Sequence, residues 1–276
     1  MKKPPQLNQL LYFVMLGFIA FGVVACQKDE DDEPDFSAAR DMAMTLAFYE
    51  DAFSLVDRVG KTEPGLRNNY GLPECAAVSI DTLALPFTVT IDFGESDCVS
   101  DAGIARRGII HVTISGPYQN EGTTITSTLE NYFVMDHQLE GTRVVTNLGN
   151  NSAGNLHYSV VESGVTLTHP NGNWTSTWQS TRNREWVAGA STWWNPFDDV
   201  YEITGSGSGV SRNGIPYTIN ITNALEVKIV CPWVTAGTLE LVPEGATAMY
   251  LDYGDGSCNN NAVVTYNGID YNITLN

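Results

Sequence analysis

From residue 72 to the end, the chain alternates apolar and polar residues, and this constrains the fold more than any other feature. Thr124, Thr126, Thr128 and Glu130 would lie on one face of a strand, with Ile125, Ser127 and Leu129 on the other. A period of two is that of a half-buried strand. Such segments recur at 87–93, 108–115, 123–135, 139–147, 155–161, 165–169, 174–182, 184–189, 199–206, 215–229, 234–242, 247–253, 262–266 and 269–275. Glycine or asparagine separates them, and Asn171-Gly172, Asn213-Gly214 and Asn267-Gly268 are tight-hairpin signals because both residue types tolerate positive φ. Helical spacing is absent from 72 onward, which argues against parallel βαβ units. The expectation is a mainly β fold over 72–276: an antiparallel meander forming a curved sheet, a barrel or a sandwich.

One helix precedes it. Ala39, Met42, Ala43, Leu46, Tyr49, Phe53, Val56 and Val59 recur every three or four residues within 36–60. Asp35 or Ser37 can cap its start and Gly60 its end. The spacing predicts an amphipathic helix packed on the β domain by that stripe.

Residues 1–25 carry Lys2 and Lys3, then an uncharged apolar run from Leu10 to Ala25. The run is shorter than the roughly 20 residues a spanning helix needs, and its plan is that of a secretory signal. Val23-Val24-Ala25-Cys26 resembles the lipobox of bacterial lipoprotein precursors, which implies lipidation of Cys26 and a membrane partner held through that anchor. An ordinary secretory signal with a chance cysteine is the alternative. Residues 26–35 are strongly acidic and read as a solvated tether. Lys28-Asp29-Glu30 also resembles the surface-export signal of Bacteroidota lipoproteins, which implies an outer-membrane lipoprotein facing outward; a plain spacer is the simpler reading. Cleavage after Ala25 removes two lysines and no acid, leaving 12 basic against 32 acidic residues, a formal charge of −20. Such a surface repels phosphate backbones, so a nucleic-acid partner is not expected.

Part of the chain repeats. Ile91-Asp-Phe-Gly-Glu-Ser-Asp-Cys98 aligns with Leu251-Asp-Tyr-Gly-Asp-Gly-Ser-Cys258, and each block has a cysteine upstream, Cys75 and Cys231. Four cysteines allow three disulfide connectivities in an exported chain. The duplication favours Cys75–Cys98 and Cys231–Cys258. A two-residue turn at Glu244-Gly245 would also place 231 opposite 258. A catalytic thiol is the competing use.

The Cys231-Pro-Trp-Val start, the Asp252–Cys258 block, Thr181-Arg-Asn-Arg-Glu-Trp186 and Asp199-Val-Tyr-Glu-Ile-Thr-Gly205 together resemble a group of Bacteroidota secreted lipoproteins. That resemblance implies location and a β-rich fold, and no particular activity.

Candidate chemistry is sparse. Asp252, Asp255, Ser257 and Asn259, with Asp92, Glu95 and Asp97, supply hard oxygens. Their spacing is not that of a calcium loop, and tight turns need the same residues. Trp174, Trp178, Trp186, Trp193 and Trp194 fall within a short stretch. Trp193 and Trp194, beside Pro196, are the candidate glycan-binding pair, whereas Trp174 and Trp178 suit a sheet core equally well. His111, His137, His157 and His169 are scattered singly, without metal-ligand spacing, and no nucleophile elbow or phosphate loop occurs. No catalytic residue, metal ligand or cofactor is nominated. The expected role is a non-catalytic envelope lipoprotein acting as scaffold or interaction module, with a glycan or an envelope protein as partner. A surface carbohydrate-binding lipoprotein is the first alternative and an envelope hydrolase the second.

Overall fold

The computed structural model describes residues 34–61, 71–193 and 195–275. Residues 1–33, with the expected signal segment and Cys26, and Trp194 lie outside the described residues. Residues from Asp35 onward form one compact unit.

The helix α1 runs Ser37–Lys61. Fourteen strands follow: β1 Ala77–Asp81, β2 Phe87–Asp92, β3 Cys98–Val99, β4 Ala105–Ile114, β5 Thr124–Val134, β6 His137–Asn150, β7 Leu156–Thr168, β8 Thr175–Ala188, β9 Val200–Val210, β10 Pro216–Lys228, β11 Val234–Pro243, β12 Met249–Asp255, β13 Asn261–Tyr266 and β14 Ile269–Thr274. They form a single antiparallel sheet in sequence order, with β3 paired only to β4. Among the described residues no ladder joins β1 to β14, so the sheet is open. The expected β meander and single helix are therefore present, as one unclosed sheet.

The boundaries differ from the sequence expectation at several places, and α1 runs through Gly60 to Lys61 instead of ending at the glycine. Segments 155–161 and 165–169 are one strand, β7, because Gly164 at φ +60° is absorbed as a bulge between Glu162 and Val165. Segments 174–182 and 184–189 are likewise one strand, β8. The short β1 and β3 are not among the expected segments. Of the Asn-Gly pairs, only Asn267-Gly268 has both residues at positive φ; the tight turn of β5–β6 is instead made by Met135 and Asp136.

The helix is the larger surprise. Its apolar stripe is buried as expected, but so is the opposite side: Asp41, Thr45, Glu50, Asp51, Ser54 and Asp57 are all buried. An amphipathic helix lying on a sheet would keep that face in water. Here the sheet curls around it. Phe36 meets Tyr266 and Tyr271 at one margin, Asp51 meets Arg106 near the other, and Tyr49 bonds the Glu140 carbonyl between them. Strand parity follows from this. Inward positions of β8 carry Trp178, Arg182, Arg184 and Trp186, while outward Thr177, Gln179 and Thr181 are exposed.

In an antiparallel meander alternate turns gather at opposite rims. The β5–β6, β7–β8, β9–β10, β11–β12 and β13–β14 turns share the rim where α1 begins. The Tyr118 loop, the 189–199 loop and the β10–β11 turn share the rim where it ends.

The two disulfides are Cys75–Cys98 and Cys231–Cys258, each with Cα atoms 5.7 Å apart. The duplicated blocks fold alike: Gly94 and Gly254 each donate to the carboxylate two residues earlier, Asp92 and Asp252, at 2.7 and 2.8 Å. One supporting step fails, however. Leu241 pairs with Met249 and Leu239 with Leu251, so the β11–β12 connection is longer than two residues and the strict register does not reach 231 and 258. The bridge forms between the β10–β11 and β12–β13 turns.

Candidate functional site

In the interior, carboxylates and arginines meet out of water. Glu50 of α1 and Glu162 of β7 clamp two arginines between them. Arg182 Nη2 lies 3.1 Å from Glu50 and 2.6 Å from Glu162, and Arg143 donates to Glu50 at 3.1 Å. Glu162 also accepts from Trp178 Nε1 at 2.7 Å and Ser180 Oγ at 2.8 Å. Burial alone would raise the Glu50 carboxyl, but Arg143, Arg182 and Arg184 outweigh it and hold it at about 2. Arg106 grips Asp51 with two bonds of 2.9 and 2.6 Å, and Arg212 grips Asp41 through its backbone and side chain. The Phe53 ring is faced by Arg143 and Arg184, 4.4 and 4.0 Å from its centre.

Near the far rim Asp57 accepts from Tyr118 and, at 2.9 Å, from Tyr201; Asp199 accepts from Trp186 Nε1 at 3.0 Å. Burial, then Asp57, pushes both tyrosine hydroxyls well above their ordinary range. Asp57 and Asp199 both accept from the Tyr201 hydroxyl, at 2.9 and 3.5 Å. Both are buried, at 0% and 1% exposure, so no substrate reaches them. These groups hold the helix in place; as a site they are sealed.

The tryptophans divide. Trp178 and Trp186 are core, stacked on Tyr217 and Tyr201 respectively. Trp174 lies under the Arg212 guanidinium, 3.8 Å from its ring centre, beside His169. Trp193 ends the short turn Ala190–Thr192 and is 37% exposed, the one member of the candidate pair that is described. The acidic loops spend oxygens on their own backbone: Asp92, Asp252 and Asp255 bond Gly94, Gly254 and Ser257, while Asp97 pairs with Arg107. Among the described residues no group of three or more His, Cys, Asp or Glu is arranged to hold a metal.

Accessible space lies elsewhere, in an open cleft of about 860 Å³ across β7 to β11 near the rim where α1 begins. Its origin is legible in β9, which reads Gly205-Ser-Gly-Ser-Gly209. On the inner side the glycines admit Trp178 and Tyr217 against bare backbone. A Cβ on Gly207 would stand 2.4 Å from Trp178, and one on Gly209 would stand 2.5 Å from the Tyr217 hydroxyl. On the outer side only serines project between larger neighbours, which leaves a trough. Trp178 and Tyr217 turn their rings into the core, so the exposed walls are Thr177, Gln179, Ser208, Thr218 and Val242, with Glu244 at the end. The Gly-Ser alternation of β9 is the sequence signal for this feature.

No family model, curated protein or solved structure matches the chain. The site is therefore read from its own residues.

Proposed function

We propose that the chain is a non-catalytic, lipid-anchored envelope protein, displayed outward, that works as a binding or interaction module. The observation that carries this reading is where the reactive groups are. The buried carboxylates and arginines are turned on one another around α1, and the β7–β11 cleft presents hydroxyls, an amide and apolar side chains with a single carboxylate. Catalysis by a carboxylate pair needs two such groups within reach of substrate. The Val23–Cys26 block and the acidic tether support the anchored location, since two or three acyl chains hold a protein stably to a bilayer.

Cys26→Ser is expected to abolish metabolic labelling with a radioactive fatty acid and to leave the precursor uncut. Labelling that persists in this variant refutes the anchor. Replacing Lys28, Asp29 and Glu30 with alanine is expected to keep lipidation while lowering cleavage by external protease on intact cells. Equal cleavage of both forms would reduce these residues to a spacer.

A further inference from the structure

We infer that the β7–β11 cleft binds a neutral oligosaccharide laid across the strands; this rests on the non-catalytic binding reading above. The cleft is built in two parallel rows. Register aligns Gln179 with Ser208, Ser208 with Thr218 and Thr218 with Val242, a row of hydrogen-bonding groups ending on an aliphatic one. Two residues along, Thr177 aligns with Val210 and Val210 with Pro216, a row that is mostly apolar. Neighbouring strands are about 4.8 Å apart, so the four strands of the polar row span about 14 Å, and the two rows stand about 6.6 Å apart. A sugar ring has the matching division, with a C–H face for the aliphatic row and a hydroxyl rim for the polar one.

The polar row is not used up by the protein. Gln179 Nε2 donates to Ser208 Oγ at 3.0 Å, which leaves the Gln179 carbonyl to accept. Among the described residues no protein group hydrogen-bonds that carbonyl, or the hydroxyls of Thr177 and Thr218. Other occupants fit less well. The floor is made of inner strands whose backbone groups are already paired on both sides, so an extended peptide cannot add as a further strand. The excess of acids over bases, and Glu244 at the cleft end, disfavour an anionic glycan. The volume lies within the range of small-molecule sites, about 300–1,000 Å³.

The test uses the intact mature lipoprotein in detergent micelles, titrated with neutral oligosaccharides of three to six glucose, xylose, mannose or galactose units. Ser208→Trp fills the trough from an outward position. Thr204→Trp, also outward on β9 but beyond the cleft, controls for folding. Binding of at least one neutral oligosaccharide is expected, weakened at least about tenfold by Ser208→Trp, about five- to tenfold by Gln179→Ala, and unchanged by Thr204→Trp. No binding across the panel overturns the inference, as does binding that Ser208→Trp leaves unchanged or a preference for acidic oligosaccharides. Cleavage of a bound oligosaccharide that Ser208→Trp abolishes would support the cleft and overturn the non-catalytic reading instead.

Discussion

Glu50→Ala is expected to destabilise the fold by about 3–5 kcal/mol, because it strands Arg143 and Arg182 in a dry interior with half their counter-charge gone. The cost of a buried pair lies in breaking it, since the surviving charge cannot return to water. Urea unfolding followed by tryptophan fluorescence measures this directly, and a loss below about 1 kcal/mol would mean that water reaches the cluster. The same carboxylate gives the fold an acid limit. Its pKa when folded, about 2, lies below the ordinary 4.5, so its contribution is fully present above about 4.5. It is lost progressively as the pH falls from there toward 2. The unfolding midpoint of the natural protein should therefore drop between pH 5 and pH 3 more steeply than that of Glu50→Gln. Parallel profiles would sink the assignment.

The second large effect is expected at the disulfides. Cys231 and Cys258 close a chain segment with a sequence separation of 27, and Cys75 and Cys98 one of 23. On the chain-entropy account each bridge disfavours the unfolded state by about 3.5 kcal/mol. Replacing either pair by alanine should lower the unfolding free energy by nearly that amount. The two losses should add, because the bridges sit at opposite rims and share no partner. A double-pair variant that loses no more than one pair would refute this additivity.

What the sequence could tell, and what it could not, follows from the range of each interaction. Period-two alternation is local, so most strands were legible, including long ones such as 215–229. Gly164 lies where segments 155–161 and 165–169 divide, and a glycine there suits a bulge as well as a turn; only the partner strand distinguishes them. The helix stripe was legible, but the fate of its other side was not. Asp41, Glu50, Asp51 and Asp57 have the look of a solvated face, and their arginine and tyrosine partners lie far along the chain. A clue was present in the strands: Arg143 shares parity with Leu139 and Val145, and Arg182 and Arg184 with Trp178 and Trp186. Arginines on a core face announce buried acids. The disulfide pairing was right by duplication, although the hairpin register offered in support was not. Trp193 is accessible, whereas the cleft arises from residues that carry almost no side chain, and such a feature is seen in sequence only by asking what a strand of glycine and serine leaves empty.

The way α1 enters the sheet has a mechanical consequence. Any pull on the chain ahead of residue 35 reaches the domain through the first turns of this helix, where Asp35 bonds Asn213 and Asp41 is held by Arg212. Those two partners sit in the β9–β10 turn, in the middle strands of the sheet and away from its free margins. Tension therefore runs along the helix axis. It must shear Asp41, Glu50, Asp51 and Asp57 from their partners together, where a tether joined to β1 or β14 would peel one edge strand at a time. A load applied to the chain ahead of Asp35 is in this way taken up at the centre of the fold.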